Sequence, residues 1–251
     1  MISRSSILIL AGGASRRMGR DKAFLELGDR ALLERVLEGP GAPFRDLVLA
    51  VDRPERYDDA LRRYGWIRQD VRARGRGGAR ASSAWQTYHR EPRHLRVVPD
   101  LRPGSGPLAG LEAGLEAARS ESCWVQACDL PFVTADVGER LLRELALAGA
   151  AARPVHAATT AGSSPAVQAV VPRLLGRPQP LCAAYSREAA RAAAVHCLEA
   201  GLASMASLLE QLRVRCLEAS KLGVSGDAEV LFLNLNRPRD WERARRLLRE
   251  R

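Results

Sequence analysis

The sequence predicts a doubly wound α/β fold, three layers deep, with a mostly parallel sheet flanked by helices on both sides. Three observations carry that reading. Two all-apolar runs, 7–10 and 47–51, have the length and composition of strands covered on both faces. Stretches with helical spacing follow each of them, at 31–37 and 56–64. Later apolar runs, at 95–99 and 123–128, each end in an acid. With 251 residues, 46% of them apolar, the chain has material for one good core, and 1–251 reads as a single domain.

The first strand runs into Leu10, Ala11, Gly12 and Gly13, then into a turn carrying Arg16, Arg17, Arg20 and Lys22. Two glycines without a Cβ let the backbone turn sharply and approach a ligand. Open α/β sheets bind ligands at the carboxyl ends of their strands, and glycine amides with fixed cations suit a polyphosphate. The spacing excludes two common phosphate loops. No Lys-Ser/Thr follows Gly19, so this is not a Walker A loop, and Gly12-Gly13 does not open a G-x-G-x-x-G fingerprint. A merely solvated basic turn is the competing reading. Lys22 weighs against it: Lys22 and Lys221 are the only lysines among 39 basic residues. A compact ammonium meets phosphate oxygens as a point charge.

The first helix stops at Gly39-Pro40. Residues 68–94 break the rhythm, since an Arg/Gly/Ser-rich run with no apolar period reads as a flexible insertion. Trp85, Tyr88 and His89 lie among its arginines, where they could stack on bases, although a solvated arginine loop is the simpler reading.

Order resumes at 95–99, a strand ending at Asp100. Gly104, Gly106 and Pro107 then open a helix whose Leu108, Leu111 and Leu115 share one face. Its N-terminus offers free amides to an anion. The strand at 123–128 ends at Asp129, with Pro131 stopping continuation. If the sheet is parallel, Asp100 and Asp129 share an edge with Lys22. Two carboxylates facing a cationic loop suit Mg²⁺ and a polyphosphate, because Mg²⁺ takes one or two carboxylates plus phosphate oxygens. Either acid alone would equally cap the next helix.

In the second half, 155–158 reads as a strand and 163–165 as a turn. Helices start from Ser186 and Ser204, and 229–232 reads as a short strand leading to Asn234 and Asn236. Those two amides would share a face if that strand continued through them. A helix over 239–249 would turn Trp241, Ala244, Leu247 and Leu248 inward.

The formal net charge of +10 raises the question of nucleic acid, but most of it is local. Residues 68–96 hold eight arginines against Asp70 and Glu91, and 237–251 hold seven arginines against three acids. Five scattered cysteines with no C-x-x-C read as core residues in a reducing cytoplasm, and four histidines show no ligand spacing. No apolar run reaches membrane length, and a strand so near the N-terminus leaves no room for a signal peptide.

The run Leu10-Ala11-Gly12-Gly13, Ser15, Arg17-Met18-Gly19, Asp21-Lys22 resembles the signature of molybdenum cofactor guanylyltransferases, within the wider Rossmann-like nucleotidyltransferase fold. The likeness continues in family order through Asp100, Gly106 to Leu115, Cys128 to Phe132, Gln179 to Ala183 and Asn234 to Asp240. It implies that the phosphate of molybdenum-molybdopterin attacks the α-phosphorus of GTP, giving the guanine dinucleotide cofactor and pyrophosphate. By the same resemblance, Leu10, Ala11, Gly12 and Gly13 would hold the guanine nucleotide through their backbones. Lys22 and Arg17 would neutralise the triphosphate. Asp129 would hold Mg²⁺, with Asp100 on the nucleotide and a second candidate for the metal. Asn234, Asn236 and Gln179 would face the pterin.

Two departures stand out. The family commonly has Asn-Arg where this chain has Asp52-Arg53, on the nucleotide side. The 68–94 segment is outside the usual pattern, and it could cover anionic substrates or dock proteins that deliver molybdopterin or mature molybdoenzymes. Two rivals remain: a cytidylyltransferase or other nucleotidyltransferase on the same fold, for which Leu-Ala-Ala-Gly would be the more typical loop, and a non-catalytic basic binding protein.

Overall fold

Residues 2–12, 21–69, 85–100, 102, 104–150 and 166–250 are described by the computed structural model. Gly13, Ser15, Arg16, Arg17, Met18, Gly19 and Arg20, the expected strand at 155–158 and the turn at 163–165 lie outside the described residues.

Four parallel strands form the centre. They are β1 (Ser6–Leu10), β4 (Asp46–Val51), β7 (Arg93–Pro99) and β8 (Ser122–Ala127), in the order β8-β1-β4-β7. Between β1 and β4 lie the small ribbon β2 (Glu26–Leu27) and β3 (Arg30–Ala31), then α1 (Leu32–Glu38). Helix α2 (Asp58–Arg63) follows β4 through a 3₁₀ turn at Pro54–Tyr57. Antiparallel strands β5 (Ile67–Gln69) and β6 (Gln86–Arg90) extend the sheet beyond β7.

On the other flank, β9 (Ala169–Leu174), β10 (Arg177–Pro178) and β11 (Cys182–Ser186) continue from β8 in the order β8-β11-β9-β10. Strand β11 runs antiparallel to β8, and β12 (Val214–Glu218) joins β9 in parallel. Mixed sheets with a parallel centre are common among doubly wound folds.

The apolar residues of the central strands divide by parity between two layers, as a period of two demands. Leu8, Leu10, Val48, Ala50 and Val98 face α3 (Pro107–Ala117), α5 (Arg187–Glu199) and α6 (Met205–Glu210). Ile7, Ile9, Leu47, Leu49 and Val97 face α1, α2, α4 (Ala135–Ala150), α7 (Ala228–Leu231) and α8 (Pro238–Arg249). Leu108, Leu111 and Leu115 are buried, the single face read from the sequence. Two glycines set the helix-to-sheet distance. A Cβ on Gly114 would lie 2.2 Å from Leu8 Cδ1, and one on Gly138 would lie 2.2 Å from Trp124 Cε3.

Several expectations are corrected. Residues 86–94 are not an irregular flexible run: β6 pairs with both β5 and β7, and Tyr88 is fully buried with its hydroxyl donating to Asp58 Oδ1. Arg90 and Arg93 pair with Glu38, and Arg96 with Asp46; Arg93 and Arg96 are buried, and Arg90 is half-buried. The run at 229–232 is the helical turn α7, capped by the Asp227 carboxylate accepting from Glu229 N. Asn234 and Asn236 therefore sit in a loop. Ser204 caps α6 with its side chain, but Ser186 makes no such bond. Four cysteines are buried, whereas Cys216 is exposed on β12. Trp241 and Ala244 anchor α8, with Leu247 and Leu248 half-buried against the same core.

Candidate active site

The carboxyl edge of the parallel strands collects nearly every described residue singled out above. Strand β1 ends at Leu10, whose carbonyl accepts from Cys128 N at 3.0 Å, tying it to the strand that carries Asp129. Ala11 N and Gly12 N both donate to Ala50 O, at 3.0 and 3.1 Å, so the chain crosses from β1 onto the end of β4. A Cβ on Gly12 would lie 3.2 Å from Asp52 N and 3.3 Å from two Val51 atoms. That approach is closer than most side chains tolerate, which is why glycine stands there. Asp52, next to it, is exposed and pairs with Arg56 at 3.8 Å, one helical turn on.

Lys22 opens a 3₁₀ turn, Lys22–Phe24, whose cap is Asp21: its Oδ1 accepts from Ala23 N at 3.1 Å. The Lys22 ammonium donates to Asn236 Oδ1 at 2.6 Å and reaches Asp129 Oδ2 at 3.5 Å. Asn236 is set by its own backbone, which donates to Asp240 Oδ2 at 3.0 Å, as Arg237 N does at 2.7 Å. Leu235 N donates to Asp129 O at 3.0 Å, so the 234–236 loop is clipped directly to the turn bearing Asp129. Asn234 Oδ1 is buried with no hydrogen-bond partner among the described residues.

Burial pushes the Asp129 carboxyl above its ordinary value, and Lys22 only partly opposes this. A carboxylate so placed gains from a cation, and a hard divalent ion that prefers oxygen ligands fits it. Asp100 is differently occupied, its Oδ1 accepting from Arg102 N at 2.8 Å. The strands leading to Asp100 and Asp129 are β7 and β8, with β1 and β4 between them. Three strand spacings amount to roughly 14 Å, the span of an extended nucleotide rather than of one ion's coordination sphere. Among the described residues, no group of three or more His, Cys, Asp or Glu side chains could hold a metal ion.

Gln179 precedes β11, and Ala127 N donates to Leu181 O at 2.8 Å, so Gln179 lies towards this same edge. Its side chain is turned onto its own loop, donating to Arg177 O at 3.2 Å. The edge thus gathers Leu10, Ala11, Gly12, Lys22, Asp52, Asp100, Asp129, Asn234 and Asn236, with Gln179 at one end. Gly13 and Arg17 lie outside the described residues.

Two contributors, Gln126 and Tyr57, are absent from the sequence reading, and two more, Asp21 and Asp240, stand in its motifs without a role assigned. Gln126 is fully buried and donates to Ala127 O and Leu130 O, holding the Asp129 turn from beneath. One amide in an otherwise apolar strand was its signal. Asp21 and Asp240 brace Lys22 and Asn236 through local caps, and Tyr57 reaches Asp21 from 36 residues away; Asp240 is also marked as an acid in the first turn of a helix.

Residues 7–216 match the family model described as the MobA-like NTP transferase domain. The chain is 30% identical over 238 residues to a protein of Pelotomaculum thermopropionicum named "probable molybdenum cofactor guanylyltransferase", covering 95% of this chain and 90% of that one. It is 26% identical over 238 residues to the molybdenum cofactor guanylyltransferase of Desulfosudis oleivorans, covering 94% and 92%. Among solved structures, molybdopterin-guanine dinucleotide biosynthesis protein A from Archaeoglobus fulgidus superposes with a TM-score of 0.70 at 25% identity, over 98% of this chain and 100% of that one. The 2-C-methyl-D-erythritol 4-phosphate cytidylyltransferase of Thermus thermophilus, at 20% identity and a TM-score of 0.58 over 97% and 98% of the two chains, shares the fold. The chain belongs to the MobA-like NTP transferase family.

Proposed function

We propose that this chain transfers GMP from GTP to molybdenum-molybdopterin, giving the guanine dinucleotide cofactor and pyrophosphate. The observation that carries the reading is the Lys22 ammonium held between Asn236 Oδ1 and Asp129 Oδ2, the latter on a turn that Cys128 N ties to the Leu10 carbonyl. In the reaction, a phosphate oxygen of the pterin substrate attacks the α-phosphorus. The bond from that phosphorus to the α–β bridging oxygen breaks, and pyrophosphate leaves with the negative charge. Lys22, helped by Arg17, neutralises that charge as it develops, the electrostatic contribution that dominates phosphoryl-type transfer. Mg²⁺ held by Asp129 would add a Lewis acid at the phosphates.

Leu10, Ala11, Gly12 and Gly13 hold the guanine nucleotide through backbone groups, with Asp52 beside them and Asp100 towards the sugar. Asn234, Asn236 and Gln179 meet the pterin. Asn234 Oδ1, buried and without a hydrogen-bond partner among the described residues, suits a heterocycle with N–H donors. Because Asp52 is already paired with Arg56, its charge does not stand alone against the nucleotide.

The rival reading as a basic binding surface loses support where Tyr88, Arg93 and Arg96 are committed to the fold. Proteins that deliver molybdopterin or receive the finished cofactor are the partners this activity calls for. No helix among the described residues is long and apolar enough to cross a membrane.

The test is thermal stabilisation by GTP, CTP and ATP, each with and without Mg²⁺, followed by pyrophosphate release with molybdenum-molybdopterin. A ligand that binds only the native state stabilises by RT ln(1 + [L]/Kd). A shift confined to GTP and enlarged by Mg²⁺ is the expected result. A preference for CTP would overturn the guanine assignment and implicate Asp52.

A further inference from the structure

Tyr57 lies at the end of the 3₁₀ turn Pro54–Tyr57, fully buried, its ring 4.8 Å from that of Phe24. Its hydroxyl donates to Asp21 Oδ2 at 2.9 Å and lies 3.4 Å from the carbonyl oxygen of Ala11. The other oxygen of Asp21 caps the turn that begins with Lys22. One phenol therefore touches the chain on the nucleotide side, at residue 11, and the carboxylate that orients the lysine, at residue 21. Burial, and then the charge of Asp21, push the phenol well above its ordinary range, so it remains a donor at every working pH. A tyrosine serving only the core would need one partner for its hydroxyl, anywhere. This one holds together two parts of a single site.

We propose that Tyr57 is a positioning residue: through Asp21 it fixes the direction in which Lys22 projects relative to the Leu10–Gly12 backbone. The role rests on the nucleotidyltransferase reading for its consequence in turnover, but not for its structural content.

Two measurements on Tyr57→Phe, Asp21→Ala and the double variant test it. The first is mass-spectrometric acylation of lysines without substrate. Lys22 and Lys221 are the chain's only lysines, and exposed Lys221 is the internal standard. Tyr57→Phe keeps the ring and its packing, and is expected to raise Lys22 labelling relative to Lys221 about fivefold, the factor corresponding to one lost hydrogen bond of about 1 kcal/mol. The second is steady-state transfer. Because Lys22 acts on charge that appears in the transition state, kcat falls about tenfold while KM for GTP holds. The double variant should lose no more than the larger single effect, since all three break one linkage.

An unchanged labelling ratio in Tyr57→Phe, or single effects that add, would overturn the proposal. A wild-type protein that labels as expected yet never transfers GMP would instead sink the functional reading and leave the Tyr57 linkage standing. If Tyr57→Phe fails to fold, Asp21→Ala reads the same link from its less buried end.

Discussion

The Lys22 ammonium and the Asn236 amide, 214 positions apart in the chain, meet at 2.6 Å on the carboxyl edge of the parallel strands. Each is braced from behind. Asp21 caps the turn that carries the lysine, and Asp240 fixes the loop that carries the amide. The turn after β1 and the loop before α8 are therefore joined by a polar contact within the folded chain itself.

Lys22→Ala and Asp129→Asn should each lower kcat for GMP transfer by about 10²–10³, the cost of removing one preorganised electrostatic contact. Asp129→Asn should also abolish the extra thermal shift that Mg²⁺ adds to GTP. Pyrophosphate release and melting curves check both, and full activity in either folded variant would remove these residues from the mechanism.

Asp240→Ala removes the acceptor for Asn236 N and Arg237 N at the start of α8. A cap of this kind is worth about 1 kcal/mol. Asn236→Ala, at an exposed position, should leave the melting temperature nearly unchanged. Both variants should lose transfer activity, and their separation on a plot of kcat against melting temperature distinguishes bracing from contact.

Gly138→Ala places a Cβ within the van der Waals radius of the rigid Trp124 ring, and should destabilise by roughly 2 kcal/mol. Gly149→Ala, in the same helix with nothing within 4 Å of the added Cβ, should stabilise by about 0.5–1 kcal/mol. Chemical denaturation reads both, and equal effects would show that α4 can shift away from the sheet at no cost.

At the opposite edge, Asp46 joins three parallel strands, accepting from Ser6 Oγ, from the Arg96 guanidinium and from Arg119 N. Burial pushes its carboxyl up, but Arg96 and the hydrogen bonds together hold it below the ordinary 3.8. The folded protein thus binds this proton more weakly than the unfolded chain. The stability so gained is fully present above pH 3.8 and is lost as pH falls through the lower folded value. Asp46→Asn should cost about 3 kcal/mol at neutral pH, because buried Arg96 loses its counter-ion, and should flatten the acid limb of a stability profile. A variant with an unaltered acid limb would exclude Asp46 as its source.

The parallel core was legible because strands buried on both faces are written as unbroken apolar runs, as at Leu47 to Val51. The run Val230 to Phe232 misled for the same reason: a few consecutive apolar residues are equally a buried helical turn, and Asp227, the capping acid ahead of them, was the deciding clue. Arg93 falls in a run that reads as a solvated arginine loop, and Arg96 adds to the same local charge, because nothing local reveals that Glu38 and Asp46 lie opposite them. Lys22, Asp100, Asp129, Asn234 and Asn236 were found by motif and by their places at strand and helix boundaries. Tyr57 was not, since its role exists only once β1, the 3₁₀ turn and α2 have converged.

The distance along the chain between Lys22 and Asn236 also has a meaning in time. A ribosome adding about 5–20 residues per second delivers the amide roughly 10–40 s after the lysine. The strands of the parallel core, complete by Ala127, emerge well before then. A growing chain accordingly carries Lys22 early and acquires the loop with Asn234 and Asn236 near the end of synthesis. The Lys22–Asn236 contact is thus a late event in the protein's own making, since a chain that has not reached residue 236 carries the lysine without the amide it meets.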